Sequence, residues 1–521
     1  MAILFSAQWK AIVLLVLLSS VGVQCLDRAN ATLSIPASVP GFYGAQNIMK
    51  FLGLVGKGQD DAHSTYLKQS IQAELKRRLS AGARIFLDGD EDFYLVNARY
   101  TNYRRPTFIA GVKVAEERDV VAVVNYARSR GIPFMARTGG HSLTTSSKRV
   151  QGGIVIDMRG LNGVKYDTTK KQMTIGGGVT TGEFANATFS RGMEGKYGYL
   201  NDNMVSLRLL LANGTVITAS KEENKETFWA VRGAGHNFGI GLEATFQVYP
   251  QKNDGKHYVV DFEYDLDRVE DLFEAVNDVS SPMPKELAIF VIGRKRGATG
   301  GATVNVNLVY SGPKADAQPF VSTFQSLGPV WRDEKVADWD ALPWSTYNGL
   351  NNILCTPQGW ARFPIKNFYA ANVKSYDIPT MRSFLDGWKA MNEKYDGHAM
   401  FSFMFETFPQ QGVRAMKHDA TAYPWREGSD HFLMMEAGSR DHSNEEVFDE
   451  FLSRHQDAWI KTSGYGRLQQ YINYGHGSKD PSEALYGYEP WRLERLRALK
   501  DQLDPEGWFN GYQPFMNETS E

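Results

Sequence analysis

The chain has 521 residues, 42% of them hydrophobic and 12% aromatic, and a formal net charge of −2. That is enough apolar material for two or three ordinary domains or for one large two-lobed enzyme. Basic and acidic residues nearly balance and the basic ones are scattered, which excludes a nucleic-acid partner held by bulk charge.

In chain order, Lys10 precedes an apolar run over 11–18, and small residues then lead to Cys25. This pattern predicts a secretory signal over 1–25, too short for a membrane span. It implies a secreted or secretory-pathway protein with no stable membrane insertion after cleavage. Cleavage would leave Cys355 as the one cysteine, so no internal disulfide is expected. Sequons at Asn30, Asn186, Asn213 and Asn517 are compatible with N-glycosylation.

Residues 26–100 read as a helical lead-in, with apolar residues at near-helical spacing over 64–79. From Pro106 strands and helices alternate. Strands are predicted at 108–112 and 132–136. Between them Glu116-Glu117-Arg118-Asp119 opens a helix that puts Val120, Val123, Val124 and Ala127 on one face. The second strand delivers Arg137-Thr138-Gly139-Gly140-His141-Ser142. Paired glycines let the backbone turn tightly and bring its N–H groups close to an anionic group, and the histidine projects from the same turn. Gly152-Gly153-Ile154-Val155-Ile156-Asp157 and Gly176-Gly177-Gly178 follow, and Thr180-Thr181-Gly182-Glu183 can begin a helix. The pair Asn213-Gly214, between strands at 207–211 and 216–218, predicts a hairpin with a type I′ turn. The glycines in Arg232-Gly233-Ala234-Gly235-His236-Asn237-Phe238-Gly239-Ile240 again suggest backbone lying against a ligand.

This ordered set resembles the FAD-binding half of the berberine-bridge-enzyme-like oxidoreductases, in their fungal branch. The resemblance implies an α+β, two-lobed FAD-binding fold of the vanillyl-alcohol-oxidase type. Its FAD-binding domain would span 101–252, an antiparallel-sheet substrate lobe 253–462, and a C-terminal segment returning to the FAD lobe 463–521. Within the substrate lobe, strands are predicted at 257–264, 288–293, 303–310, 400–408 and 431–437. Helices are predicted at 269–277, 315–325, 381–392 and 444–459. The resemblance also implies FAD contacts at Arg137, Thr138, Gly139, Gly140, His141, Ser142, Gly177, Gly178, Asp202, Asn203, Gly235, Asn237, Gly239, Ile240 and Asn473, with His141 as the covalent anchor. The threonine usual two residues after Ile240 is missing, the chain having Gly241-Leu242 there, and His236 reads as a structural residue.

The resemblance breaks once. Family members carry a second glycine-rich loop, often with a cysteine forming a second flavin bond. Here Arg191-Gly192-Met193-Glu194-Gly195 runs directly into Lys196-Tyr197-Gly198-Tyr199-Leu200-Asn201-Asp202-Asn203. Attachment through a second, cysteinyl link is therefore not expected. The chain is either a shortened translation of a gene whose product contains the loop, or a variant with a weakened or lost flavin site. The first is favoured, because clean excision would leave buried polar groups unpaired.

The strip Tyr471-Ile472-Asn473-Tyr474 resembles the family's catalytic tyrosine segment. Tyr471, then Tyr474, is the expected proton acceptor from a substrate hydroxyl. Glu406, Tyr423 and Arg426 are candidates to face the flavin from the substrate lobe. No His-x-x-x-His or Cys-x-x-Cys pair suggests a metal, and no Gly-x-Ser-x-Gly elbow suggests a hydrolase. The expected activity is hydride transfer from a small organic substrate to FAD with molecular oxygen as acceptor, in fungal secondary-metabolite biosynthesis. Alternatives are an oligosaccharide oxidase of the same fold, a redox-neutral cyclase, or a flavin-free relative that binds a small molecule.

Overall fold

The structure is a computed structural model that describes residues 62–195, 198–295, 301–354, 359, 361–427, 431–477 and 479–515. The signal segment, Asn30, Lys196-Tyr197, Cys355 and Asn517 lie outside the described residues.

The lead-in is only partly helical. After α1 (Ala62–Ser70) it supplies β1 (Arg84–Leu87), which pairs antiparallel with β2 (Phe108–Lys113). The strand forms because it turns Phe86 onto a small core with Phe93, Val96, Phe108 and Val155. Next comes α2 (Glu117–Arg128), whose Val120, Val123, Val124 and Ala127 are all fully buried. Its first turn is held by Asp119, whose carboxylate accepts from the backbone N–H groups of Ser80, Ala115 and Glu116. The strands β3 (Phe134–Arg137) and β4 (Gly153–Asp157) run parallel to each other, and β4 runs parallel to β2, giving the order β1-β2-β4-β3.

A second sheet packs beside the first. It contains β5 (Val164–Asp167) and β6 (Gln172–Gly176), after which come α3 (Thr181–Phe189) and the short β7 (Met193–Glu194). It continues with β8 (Met204–Leu210), β9 (Val216–Ser220) and, after α4 (Lys225–Ala234), β10 (Ile240–Gln247), in the order β5-β6-β10-β8-β9. At the β8–β9 turn only Gly214 takes a left-handed conformation, φ +84°, and the Asn213 carboxamide accepts from the Thr215 N–H. A type I′ turn needs both central residues left-handed, so the expected turn type is corrected. Just before the break in the resemblance, β7 pairs with β11 (Tyr249–Pro250). Asn186 and Asn213 are exposed.

The substrate lobe is a seven-stranded, wholly antiparallel sheet. Its members are β12 (Lys256–Asp265), β13 (Leu287–Lys295), β14 (Ala302–Tyr310), β15 (Trp331–Asp338), β16 (Ile365–Val373), β17 (Ala399–Thr407) and β18 (His431–Ser439). Their order is β15-β12-β14-β13-β17-β18-β16. Four helices, α5 (Val269–Val279), α6 (Lys314–Ser326), α7 (Ile378–Lys394) and α8 (Glu445–Thr462), cover one face. Side chains alternate across a strand. Phe401, Phe403 and Phe405 of β17 accordingly join the core under the helices, while Met404 joins the core shared with the first lobe. The C-terminal segment, including α9 (Pro490–Leu503), adds Tyr471, Tyr474, Tyr486, Leu493 and Phe515 to that shared core. No helix among the described residues is long and apolar enough to cross a membrane.

Candidate functional site

One cavity of about 1080 Å³ lies between the lobes. On the first lobe its wall is the turn that leaves β3. Arg137, Thr138, Gly139, Gly140, His141 and Ser142 all line it, with Gly177, Gly239, Ile240 and Gly241. Gly140 adopts φ +67°, and a Cβ there would lie 2.5 Å from the Ala98 carbonyl oxygen, so only glycine makes this turn. The turn is tied down by Thr138 Oγ1, which donates to the Gly177 carbonyl (3.0 Å), and by Arg137 Nε, which donates to the Ala98 carbonyl (2.9 Å). The first residues of α3, Thr180 and Thr181, also reach the wall, presenting a helix N-terminus to the cavity.

His141 stacks on Tyr100, ring centroids 4.4 Å apart. Burial, aided by the nearby Lys366 charge, pushes its pKa down to about 3, so the imidazole is neutral across the physiological range. Tyr100 in turn carries the Lys366 ammonium 4.3 Å from its ring centroid, while Lys366 Nζ donates to the Tyr100 carbonyl (2.8 Å). Burial pushes Lys366 down to about 8. Glu436, on β18, lines the same cavity and accepts from the Tyr100 hydroxyl at 3.4 Å. Burial raises its pKa, against the opposing pull of Lys366.

From the C-terminal segment, Tyr471, Asn473 and Tyr474 line the cavity. Asn473 Nδ2 donates to the Tyr471 hydroxyl, and the Tyr512 hydroxyl donates to Asn473 Oδ1 (3.3 Å). Tyr474 donates to Glu406 Oε1 (3.1 Å), and burial, then the Glu406 charge, push its pKa well above the ordinary tyrosine value. A phenol so disposed is a donor and a poor base.

Several expected residues stand elsewhere. Glu406 is fully buried behind Tyr474 and does not reach the cavity wall, and burial raises its pKa well above the carboxylate range. Asp202 forms a buried ion pair with Arg426 (2.6 and 3.1 Å), because a guanidinium with 1% exposure needs a countercharge. Asn203 donates to the Tyr199 carbonyl and accepts from the Tyr249 hydroxyl. Tyr423 meets the Tyr199 hydroxyl at 3.2 Å. Residues 199–203 therefore face the 421–426 segment and contribute no wall, which removes Asp202, Asn203, Tyr423 and Arg426 from the cavity. Gly178 is also off the wall: its carbonyl accepts from Arg159, and a Cβ would lie 1.9 Å from the Met158 carbonyl oxygen. Gly235 borders a separate small void with Asn201 and Met204. Asn237 is buried, donating to the Tyr486 hydroxyl and the Gln513 carbonyl. His236 does line the cavity, with its Nε2 2.8 Å from the Tyr486 hydroxyl.

Sequence reasoning missed Arg99, Tyr100, Lys366 and Glu436. Glu436 had a usable signal. It stands in Phe432-Leu433-Met434-Met435-Glu436-Ala437, and a carboxylate inside an apolar strand is costly unless it has work to do.

Residues 109–195 match the model of an FAD binding domain family, a stretch that stops at the break described above. The FAD-linked oxidoreductase alt4 of Alternaria solani is 47% identical over 86% of this chain and 97% of its own length. The chain belongs to the FAD-linked oxidoreductases. A second relative, srdI of Neurospora crassa, is 30% identical over 84% of this chain and 90% of that protein. Solved structures share the fold of this oxidoreductase. Physcomitrella patens BBE-like 1 superposes with a TM-score of 0.70 at 21% identity, covering 85% of this chain and 98% of the other. A berberine bridge enzyme variant gives 0.68 at 18% identity over 85% and 99%. Xylooligosaccharide oxidase from Myceliophthora thermophila gives 0.67 at 19% identity over 86% and 99%.

The oxidoreductase is an FAD-dependent enzyme, and its cavity suits the cofactor's ring end. The cavity is at the upper end of the range for small-molecule sites, and the neutral His141 ring opens onto it. The buried Ser142 hydroxyl on its wall has no hydrogen-bond partner among the described residues. The N-terminus of α3 and the backbone at Gly177 could hold the diphosphate.

Proposed function

We propose that this enzyme oxidises a small, largely apolar organic molecule, with FAD attached through His141 and molecular oxygen as the final acceptor. The observation that carries the reading is that neutral His141, Tyr471 and Glu436 share one cavity whose substrate-lobe wall is mainly hydrocarbon and thioether. Ile292, Leu350, Phe368, Met400, Met404 and Met434 supply the apolar part of that wall, and its polar members include Ser402, Glu436, Arg294, Asn351 and Arg362. A sugar hydroxyl set against the hydrocarbon and thioether part of the wall would go unpaired at a cost of about 1–3 kcal/mol, which favours a substrate apolar at that end over an oligosaccharide. Bound FAD supplies a two-electron acceptor that takes the substrate's carbon-bound hydrogen as hydride.

The protein's own part is the hydroxyl proton. We assign it to Glu436, whose raised pKa brings the carboxylate closer to the basicity that neutral pH requires. Tyr471, held by Asn473, orients the same hydroxyl. Glu436 thus takes the place expected for Glu406 and the proton-acceptor role expected of Tyr471 and then Tyr474, and Tyr474 packs against Glu406 instead. The setting fits fungal secondary metabolism, and the apolar segment over 11–18 supports delivery to the secretory pathway. The test is hydrogen peroxide release from the flavin-loaded protein offered apolar benzylic and allylic alcohols against xylo-, cello- and chito-oligosaccharides. Turnover of the alcohols alone agrees with this reading, and turnover of the sugars alone overturns it.

A further inference from the structure

The seven-stranded sheet is split near its middle. β13 and β17 are neighbours, yet their pairing runs only from Ile289↔Thr407 to Ile292↔Met404. β13 continues to Lys295, and β17 begins as far back as Ala399, so the two strands stand side by side without a ladder. Splaying of this kind ordinarily strands backbone groups inside a protein. Here α7 supplies partners for Phe401 of β17. The Phe401 N–H donates to Asn392 Oδ1 (3.1 Å), and the Phe401 carbonyl accepts from Trp388 Nε1 (2.8 Å) and Asn392 Nδ2 (3.0 Å). In an antiparallel strand both groups of one residue point to the same edge, so α7 occupies the edge that β13 has left. Gly293 completes the arrangement: a Cβ there would lie 2.4 Å from Phe403 and 2.6 Å from Trp388. The split is a finished feature of the fold.

The cavity's lining takes residues from both sides of it. Ile292 and Met404 on its wall belong to the core shared with the first lobe, whereas Phe401, Phe403 and Trp388 belong to the core under the helices. An intact sheet would separate the two groups. The lining extends to exposed Lys389 and Glu393 on α7. Phe401, Phe403, Trp388 and Met400 give it an aromatic and aliphatic surface that an alkyl chain prefers to water, with Arg294 and Asn392 as polar members.

We propose that the opening between β13 and β17 is a channel that binds the apolar chain of an elongated substrate. The oxidised end lies by Glu436, and the chain runs past Met400 and Phe403 toward Lys389. This rests on the function proposed above and adds a substrate class to it: an oxidisable head bearing an alkyl or polyene tail.

Half-buried Met400 lines the passage and gives the test. Wild type, Met400→Trp and Met400→Ala are titrated with 11-(dansylamino)undecanoic acid and with dansylglycine, following dansyl fluorescence. Flavin absorbance and thermal melting are recorded for each protein. The wild type should bind the long probe at least about tenfold more tightly than the short one, since burial of a few methylenes suffices for that ratio. Met400→Trp should erase the ratio, and Met400→Ala should keep it. Equal binding of the two probes, or a ratio that survives Met400→Trp in a protein melting like wild type, overturns the channel. So does slowed reoxidation by oxygen of dithionite-reduced Met400→Trp with an unchanged ratio, which would assign the opening to oxygen. The ratio is read whether or not flavin is retained. A protein without flavin that still discriminates chain length fails the proposed function alone, and a flavin-loaded protein indifferent to chain length fails the channel alone.

Discussion

On the first lobe the cavity meets a stretch of glycine backbone among its side chains, and on the substrate lobe it meets mainly strand side chains. Gly140 and Gly177 of the first-lobe wall have no room for a Cβ, so these positions tolerate almost no change of residue. The substrate-lobe wall is one face of β17 and β18, where Met400, Ser402, Met404, Met434 and Glu436 project into a space that other side chains could equally fill. A wall of backbone fixes where a cofactor lies, whereas a wall of strand side chains can be rewritten without refolding. One architecture can thus keep its cofactor while changing its substrate.

That contrast can be broken or sharpened by substitution. The largest effect is expected from Glu436→Gln, which keeps the shape and removes the base. Turnover should fall about 10²–10⁴-fold with flavin content unchanged, as read from hydrogen peroxide release and the visible spectrum. If the variant keeps wild-type turnover, the proton assignment is wrong. Arg426→Met comes next. It leaves Asp202 buried without its countercharge, and stability should drop by about 3–5 kcal/mol in denaturant titrations. Asp202→Asn should likewise lower stability while the folded fraction keeps its flavin, since Asp202 is off the cavity wall. On the first lobe, Gly177→Ala would set a Cβ 2.1 Å from the Gly241 carbonyl oxygen. A cost of about 1–3 kcal/mol in stability and a visible loss of bound flavin should follow, whereas Met434→Leu on the other lobe should leave both nearly intact.

The smallest effect is on pH. Burial depresses the pKa of His431 to about 3, and of His455 and His476 to about 4. Each folded value is below the unfolded one of about 6.5. The unfolded chain therefore binds protons first as the pH falls, and stability present above about pH 6.5 is lost progressively toward pH 3–4. Melting temperatures measured between pH 7 and pH 4 should decline, and a flat profile would contradict these burial shifts.

The same contrast explains what was legible in the sequence. Backbone-built features leave a mark in composition, so the turn at Gly139-Gly140-His141 and the strands at 108–112 and 132–136 were readable, as was the antiparallel substrate lobe; the parallel pairing through β4 was not. Side-chain-built features do not, because a strand pattern gives the face but not the depth along it. Glu406 and Met404 share a face of β17, yet the cavity sits at the level where Ser402 pairs with Glu436, four residues away or about 13 Å along the strand. Glu406 pairs instead with Phe432 and meets Tyr474. Asp202 and Asn203 could not be placed either, because Asp202 is oriented by Arg426, a residue 224 positions away in sequence, and Asn203 by the Tyr199 carbonyl and the Tyr249 hydroxyl. The contribution of β1 from the lead-in was hidden for the same reason: its partner β2 is remote and its four residues carry little signal.

The most direct test of the account is the visible absorption spectrum of this chain, purified from a secreting host, before and after acid precipitation. The account predicts flavin absorbance that stays with the precipitated protein and that His141→Ala releases into the supernatant. A folded, monodisperse, colourless protein would contradict it, and would direct attention to the junction at Gly192–Lys196.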